Sequence, residues 1–320
     1  MNKKEIIPFF LLYMVIVPFF TYLVGYKDLD NWIDNPTYQN YFFLAQYNNV
    51  IEIIKNGVDP LFLMLMRPFT VIKDGYGLFL LICAYVTLNL KFIGLRRSTN
   101  NFPILLVLYA SYLLCLHDYV QIRIALSMAF VTLGIYLSKT KKSLFIFFIV
   151  AILVHVTSLF VILPFLFYKK FGAKSCVLLI AFSFFLPMLF FSGLIKNARL
   201  ETYIELAKYK EQYATANVFA SQPILQMFGL IYIYINSKLR KYTTQYEYIF
   251  SVLGVLCFYL FIQVPVLSFR LFELTMFFYI IILSRLFFSS KVIMLICLLY
   301  VFVGLKNMFY GTSALISLSS

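Results

Sequence analysis

Long uninterrupted apolar runs constrain this chain more than any other feature of its sequence. The stretches Ile6 to Val24, Tyr76 to Leu95 and Tyr246 to Ser268 each approach or exceed the roughly 20 residues that a helix needs to cross a bilayer. Of the 320 residues, 62% are hydrophobic and 12% are charged, whereas soluble domains have about 45–50% and about 25%. The runs do not alternate with the period of two that a transmembrane barrel requires. The sequence therefore predicts an all-α polytopic integral membrane protein, formed as a single domain over residues 1–320.

Short clusters of lysine and arginine between the apolar runs predict the topology. The formal net charge of +14 would suggest nucleic-acid binding in a soluble protein, but here the basic residues stand next to membrane helices and are expected on the cytoplasmic side. This arrangement predicts about 10–12 transmembrane helices, with residues 25–75 and a loop near 192–222 on the other side. The predicted crossings are about 6–24, 76–95, 103–116, 120–138, 176–192, 223–236, 246–268, 270–288 and 291–310.

Two segments do not fit a regular crossing. The stretch Leu61 to Ile72 is too short to span a bilayer and has Arg67-Pro68 in its middle, so we expect a re-entrant or interfacial segment. The stretch Ser143 to Tyr168 has basic clusters at both ends. It is explained by two short half-helices that meet near His155 and return to the same side, or by one helix with a misplaced basic cluster.

A few polar side chains interrupt the apolar segments near one predicted face. An ionisable side chain within a membrane helix is costly, so it tends to face a cavity and to mark a functional site. A one-sided set that is rich in arginine would form a basic pocket for an anionic ligand. The candidates are Asp59, Arg67, His117, Asp118, Gln121, Arg123, His155, Arg270 and Glu273.

Each candidate also has a purely structural interpretation. His155 could be a packed, hydrogen-bonded core residue instead of a base. Arg270 and Glu273 stand three apart on a helix and could simply pair with each other. His117 and Asp118 are expected to form an ordinary outer turn between two helices. The sequence contains no glycine-rich phosphate loop and no HExxH motif, so neither an ATP-driven pump nor a metal site is predicted.

The order of several short motifs resembles a known family. Gln121-Ile-Arg123-Ile-Ala125, the basic turn Lys139 to Lys142 and the stretch Ala151 to Ser158 around His155 resemble the EpsG-type polysaccharide polymerases. Asp59-Pro-Leu-Phe62 is similar to the acidic-Pro-Gly-aromatic element of that family, with Leu61 where glycine is common. Ser268-Phe-Arg270 resembles its late arginine-led helix. The resemblance covers most of the chain.

The resemblance implies a Wzy-like O-antigen or exopolysaccharide polymerase in a bacterial inner membrane. Such an enzyme is a metal-independent glycosyltransferase of surface-polysaccharide or lipopolysaccharide biosynthesis, and its active site faces the periplasm. Its implied partners are an oligosaccharide donor and an acceptor repeat unit, each linked to undecaprenyl pyrophosphate. Membrane lipid and a chain-length regulator protein are further implied partners. No cofactor, metal or nucleic acid is expected.

The demands of that reaction assign roles to the candidate residues. Arginines would bind the diphosphate leaving group and stabilise its charge as the glycosidic bond breaks. A base would deprotonate the acceptor hydroxyl; His155 is the first candidate, with Asp59 or Glu273 as alternatives. The predicted catalytic residues are His155, Arg123 and Arg270, and the predicted pyrophosphate-binding or sugar-binding residues are Arg67, Asp59, Gln121, Glu273 and Tyr203.

Two other functions fit the same basic pocket. A transporter of a lipid-linked anionic glycan would bind the substrate without reaction, although transporters usually show two repeated halves and none is visible in this sequence. A membrane O-acyltransferase would also use a membrane histidine and arginines. The order of the motifs favours the polymerase over both.

Overall fold

The computed structural model describes residues 12–30, 32, 34–55, 59–174, 179–181 and 216–310. It confirms the all-α polytopic fold, because these residues form helices and no strand and include several helices long and apolar enough to cross a membrane. These are Gly75–Ser98, Phe102–Val120, Val156–Lys174, Pro265–Ser289 and Lys291–Phe309. Shorter apolar helices are Leu12–Gly25, Pro60–Val71, Ile122–Leu137 and Tyr246–Leu260. Most of the predicted helix 176–192 and of the loop near 192–222 lies outside the described residues.

The chain divides into two compact units, and the first comprises Met1–Asn100, Ala110–Leu159 and Leu305–Ser320. A π-helical turn, Leu12–Ile16, leads into its first α-helix. Its helices, in chain order, are α1 (Val17–Gly25), α2 (Asn35–Tyr47), α3 (Val50–Lys55), α4 (Pro60–Met66), α5 (Gly75–Ser98), α7 (Ile122–Leu137) and α8 (Lys141–Val154). Helix α6 (Phe102–Leu108) belongs to the second unit, and a π-helical segment, Tyr109–Val120, follows it.

A buried apolar cluster joins the short helices α2 to α4 to the long helices of the first unit. Its members come from the segment before α2 and from α2, α3, α4, α5, α7 and α8. Trp32 and Tyr38 stack within it at a ring separation of 4.9 Å, and Tyr38 meets Phe62 edge to face at 5.9 Å. Ile122 and Val154, two members of this cluster, directly precede Arg123 and His155 in the sequence.

Small residues allow the long helices of the first unit to approach closely, as is usual where lipid offers no hydrophobic driving force between helices. A Cβ atom added at Gly94 of α5 would stand 2.6 Å from Thr132 of α7. One added at Gly134 of α7 would stand 2.6 Å from the ring of Phe148 in α8. The three helices therefore pack through close contacts that a larger side chain would prevent.

Both segments that were predicted to be irregular are interrupted helices. Helix α4 gives way at Arg67 to a 3-10 helix, Arg67–Val71, so this stretch is far shorter than a bilayer-crossing helix. Helix α8 ends at Val154, and a 3-10 turn, Val156–Ser158, separates it from α9 (Leu159–Phe171). The break at His155 is confirmed. Because α8 and most of α9 fall in different units, the predicted hairpin stays a prediction.

The second unit comprises Asn101–Tyr109 and Phe160–Gly304. Besides α6 and most of α9 it contains α10 (Ser221–Ile235), α11 (Tyr246–Leu260), α12 (Pro265–Leu286) and the larger part of α13 (Lys291–Phe309). Helix α11 packs on α12 where Gly254 faces Thr275. The Asn101 side-chain amide donates to the Ser284 carbonyl over 2.9 Å and ties α6 to the far end of α12. The prediction of one domain over residues 1–320 stays a prediction.

One predicted boundary is wrong. The predicted helices 246–268 and 270–288 placed Arg270 at a helix start, but α11 ends at Leu260 and α12 begins at Pro265. Proline has no N–H to leave unsatisfied and its φ angle suits the first helical turn. Arg270 and Glu273 therefore lie further into α12 than predicted.

Candidate functional site

The carboxylate of Asp59 joins two other predicted site residues. Asp59 immediately precedes α4, yet its side chain makes no capping hydrogen bond to that helix. Its Oδ2 atom instead accepts hydrogen bonds from Arg123 Nη1 and, over 2.9 Å, from His155 Nδ1. Asp59 and His155 are 4% and 3% exposed, whereas the Arg123 side chain is 16% exposed. We call Asp59, Arg123 and His155 the polar triad.

Arg123 stands in the first turn of α7, at the end where the helix dipole disfavours a positive charge. Aromatic residues of α2 offset this disadvantage. Arg123 Nη1 also donates to the Tyr41 hydroxyl over 2.9 Å, and its guanidinium lies 4.5 Å from the Tyr41 ring and 5.6 Å from the Tyr38 ring. The backbone N–H of Arg123 donates to the Tyr38 hydroxyl at 3.3 Å. An arginine is therefore held by a carboxylate, a hydroxyl and two π faces.

The break between α8 and α9 presents His155 to Asp59. The backbone is extended at His155, with φ −161° and ψ 121°, although its N–H still bonds to the Ala151 carbonyl over 2.9 Å. The Ser158 hydroxyl donates to the His155 carbonyl over 2.9 Å. The Ser127 hydroxyl of α7 donates to the Ala151 carbonyl over 3.0 Å and ties the end of α8 to α7. The break turns the imidazole out of the helix direction and towards Asp59.

The polar triad has the arrangement of an oriented histidine base. An ionised carboxylate can only accept hydrogen bonds, so the proton between Asp59 and His155 lies on Nδ1. The neutral ring then carries its lone pair on Nε2, where it can take a proton from a hydroxyl group. Arg123 supplies the opposite charge that a buried carboxylate requires. Three side chains that are distant in sequence thus form one acid–base unit with a cation beside it.

Comparison with known proteins identifies the family. The family model described as "EpsG family" matches residues 10–319, which is nearly the whole chain. The chain belongs to the EpsG family. No curated protein and no solved structure matches it. Membership of the EpsG family indicates a role of the polysaccharide-polymerase kind and is consistent with a glycosyltransferase.

The other predicted site residues of this EpsG-family chain are not all gathered at the polar triad. Gln121 occupies the N-cap position of α7 without a capping hydrogen bond from its side chain, and its backbone N–H donates to the Leu116 carbonyl over 3.0 Å. Arg67 is exposed, and no hydrogen bond or ion pair links it to the polar triad within the described residues. Arg270 and Glu273 lie in the second unit, and Glu273 is buried. Tyr203 lies outside the described residues. The roles of these five residues stay predictions.

Two residues that contact Arg123 were missed by the reading of the sequence. Tyr38 and Tyr41 belong to the stretch between the first membrane helix and Asp59, which the topology assigned only to an outer loop. The signal was the density of aromatic residues around Trp32, the single tryptophan of the chain. Because an aromatic run predicts burial but not its partner, it pointed to a packed segment without connecting that segment to Arg123.

A second ion pair is buried inside the first unit. Lys91 of α5 and Asp118 are 2.8 Å apart, and their side chains are 0% and 1% exposed. The prediction of an outer turn at His117 and Asp118 is wrong, because both residues lie buried in the π-helical segment Tyr109–Val120. Neither ring nitrogen of His117 has a hydrogen-bond partner among the described residues. A lysine inside an apolar helix was the signal that the sequence offered for a buried partner.

Lys27 holds the end of the same π-helical segment. Its ammonium group donates to the Tyr119 carbonyl and lies 4.0 Å from the Trp32 ring and 4.7 Å from the Tyr119 ring. Lys91 binds the residue before Tyr119, and the Gln121 N–H is bonded to the preceding turn. The backbone that leads into Arg123 is therefore held from several sides.

The stability of the protein should depend on the charge of Lys27. Burial lowers the pKa of Lys27 from 10.5 to about 7. Between those values the unfolded chain binds a proton that the folded protein does not, so stability rises with pH across this window and is lowest, for this group, below about 7. We compare the unfolding temperatures of the wild type and of Lys27→Met. The wild-type value minus the variant value should be several degrees larger at pH about 9 than at pH about 6. Thermal unfolding in detergent measures it, and a constant difference contradicts it.

Proposed function

We propose that this protein is a polysaccharide polymerase that joins repeat units linked to undecaprenyl pyrophosphate by glycosyl transfer. It acts at the periplasmic face of a bacterial inner membrane. The observation that carries the proposal is the carboxylate of Asp59, which binds both His155 and Arg123 in a chain of the EpsG family. Such a unit supplies a base for a hydroxyl group and a cation for a phosphate, which are the two groups that change in this reaction.

His155 acts as the general base. Its Nε2 atom takes the proton of an acceptor sugar hydroxyl while the hydroxyl oxygen attacks the anomeric carbon of the donor sugar. The new glycosidic bond forms as the bond between that carbon and the pyrophosphate oxygen breaks, and undecaprenyl pyrophosphate leaves with the electron pair. Asp59 positions the imidazole and stabilises the imidazolium that results. It is less suited to be the base itself, because its Oδ2 atom already accepts two hydrogen bonds.

Arg123 stabilises the pyrophosphate as it leaves. Its Nη1 atom is engaged by Asp59 and Tyr41, and its Nε atom is buried without a hydrogen-bond partner among the described residues. The guanidinium is thereby held in a fixed orientation, and its planar set of N–H donors suits phosphate oxygens. Charge that develops on the leaving group would therefore meet a fixed cation that needs no reorganisation.

A reconstituted assay tests the function and the role of Arg123 together. Purified protein in vesicles, supplied with lipid-linked repeat units, is expected to lengthen the glycan, which mass spectrometry of the released chains measures. Arg123→Lys should lower the rate by about 10²-fold or more, because lysine keeps the positive charge but lacks the planar set of N–H donors of the guanidinium.

The matched control is Arg97→Lys, the same change at an exposed arginine of α5, which should retain the wild-type rate. Redistribution of lipid-linked units across the bilayer without glycan growth would show a transporter instead. Acyl groups added to the glycan would show an acyltransferase, and either result overturns the proposal.

A further inference from the structure

Six lysines converge on one end of the second unit, although they come from three separate parts of the sequence. They stand at the end of α9 and the 3-10 turn after it, in the turn between α10 and α11, and at the start of α13. We call these residues the basic rim. The basic rim consists of Lys169, Lys170, Lys174, Lys238, Lys241 and Lys291, all of them exposed.

Specific contacts bring the three parts of the basic rim together. The Tyr168 hydroxyl at the end of α9 donates to the Thr244 carbonyl over 3.0 Å, and the Tyr168 and Tyr246 rings lie 5.6 Å apart. The hydroxyl groups of Tyr232 in α10 and of Ser290, the residue before α13, are 2.7 Å apart. The helix ends are thus fixed against one another, so the rim is a surface of the folded unit.

Few carboxylates in the part of the second unit that the structure describes could balance the positive charge of the basic rim. The carboxylates in the described part of the second unit belong to Glu247 and Glu273. The Glu247 side chain is 8% exposed and binds Arg285 Nη2 over 2.7 Å. Glu273 lies roughly three turns before Arg285 in α12, about 18 Å along the helix axis. Among the described residues, the exposed lysines therefore give this end of the second unit an excess of positive charge.

The position of the basic rim indicates what it meets. It lies at the ends of Val156–Lys174 and Lys291–Phe309, two helices long and apolar enough to cross a membrane. Exposed aromatic side chains stand beside the lysines, with Phe171 at 40% and Phe288 at 73% exposure. Aromatic and basic side chains together are typical of the headgroup level of a bilayer. A soluble anion would make no contact that requires the aromatic rings, so the combination favours a lipid.

We propose that the basic rim binds the headgroups of anionic phospholipids. The phosphate of each headgroup accepts hydrogen bonds from lysine ammonium groups of two or more of the three parts, while Phe171 and Phe288 contact the glycerol and upper acyl region. A lysine near an anionic membrane surface contributes about a fivefold change in binding. The inference does not depend on the proposed polymerase function.

Reconstitution of the full chain into nanodiscs of phosphatidylcholine with a minor fraction of phosphatidylglycerol tests the proposal. Lipids that remain bound after extraction are measured by mass spectrometry. The wild type should retain phosphatidylglycerol in excess over its share of the bilayer, and added salt should reduce this excess. The variant Lys169→Gln/Lys170→Gln/Lys238→Gln/Lys241→Gln should lose the excess, with an affinity lower by about tenfold or more.

The matched control removes four exposed basic residues from the first unit and is Arg97→Gln/Lys139→Gln/Lys141→Gln/Lys142→Gln. It should keep most of the excess. The inference is overturned if the wild type shows no preference for phosphatidylglycerol, or if the control loses as much as the rim variant. It is also overturned if inorganic phosphate displaces the lipid, which would indicate a site for soluble anions. Should the rim variant not fold, the salt dependence of the wild type and the variant Lys238→Gln/Lys241→Gln decide the question.

Discussion

Replacement of Asp59 with asparagine is expected to abolish polymer formation while the protein remains folded. The amide has nearly the shape of the carboxylate, but it carries no charge to balance Arg123 and can donate a proton to His155 Nδ1. The Nδ1 atom of His155 would then accept a hydrogen bond from the new amide, and the ring proton would lie on Nε2, which faces the acceptor sugar. This tautomer cannot act as the base. A loss of about 10³–10⁴-fold in kcat is expected. The measurement is the length distribution of surface polysaccharide on gels, together with the rate in reconstituted vesicles.

Asp74→Asn provides a matched control for this substitution. Asp59 and Asp74 both stand at the N-cap of a helix without a capping hydrogen bond from the side chain, and Asp74 is exposed. The backbone of Asp74 has a φ of 57°, a conformation that asparagine tolerates as well as aspartate. Normal chain lengths are expected for Asp74→Asn. Wild-type polymer from Asp59→Asn at normal protein levels would show that the pairing of Asp59 with His155 is not used in catalysis.

Removal of the lysine from the second ion pair should have the largest effect on stability. Lys91→Met leaves the Asp118 carboxylate buried without its partner, and loss of one member of a buried pair costs about 3–5 kcal/mol. The lipid around the helix bundle makes an uncompensated charge especially unfavourable. We expect a marked fall in the unfolding temperature in detergent and in the amount of protein that elutes as a single species.

The double variant Lys91→Met/Asp118→Leu distinguishes a lost ion pair from lost packing. Replacement of both charges with apolar side chains of similar size is often neutral for stability, so this variant should recover most of the loss. Arg97→Met is the matched control in the same helix, where the side chain is exposed, and its effect should be within about 0.5 kcal/mol. A Lys91→Met protein as stable as the wild type would show that the pair contributes little.

The apolar runs predicted the helical membrane fold because lipid requires every backbone group to be paired within its own segment. The interruption at Arg67 was predictable from Arg67-Pro68 within a short apolar run, and the interruption near His155 from the basic clusters at both ends of one apolar stretch. The π-helical form of Tyr109–Val120 was not, because hydropathy does not distinguish it from an α-helix. The start of α12 at Pro265 was missed, because the helix boundaries were predicted from the apolar pattern and the preference of proline for the first helical turn was not considered.

The polar triad was only partly accessible from the sequence. Arg123 and His155 were singled out as costly polar residues and by their resemblance to family motifs, and Asp59 by its place just before the predicted re-entrant segment and by the same resemblance. That one carboxylate oxygen binds both others was not predicted, because Asp59 lies 64 residues from Arg123 and 96 from His155 along the chain. The aromatic residues around Arg123 were missed for the same reason.

By itself the sequence determined that this chain is a helical membrane protein, where its helices break, and which few polar residues require an explanation. These properties follow from local hydrophobicity and backbone chemistry. Only the tertiary structure decided which polar residues are partners, because pairing depends on how helices distant in sequence pack. It placed Lys91 against Asp118 in the interior, gathered the lysines of the basic rim at one end of the second unit, and joined Arg123 and His155 through the carboxylate of Asp59.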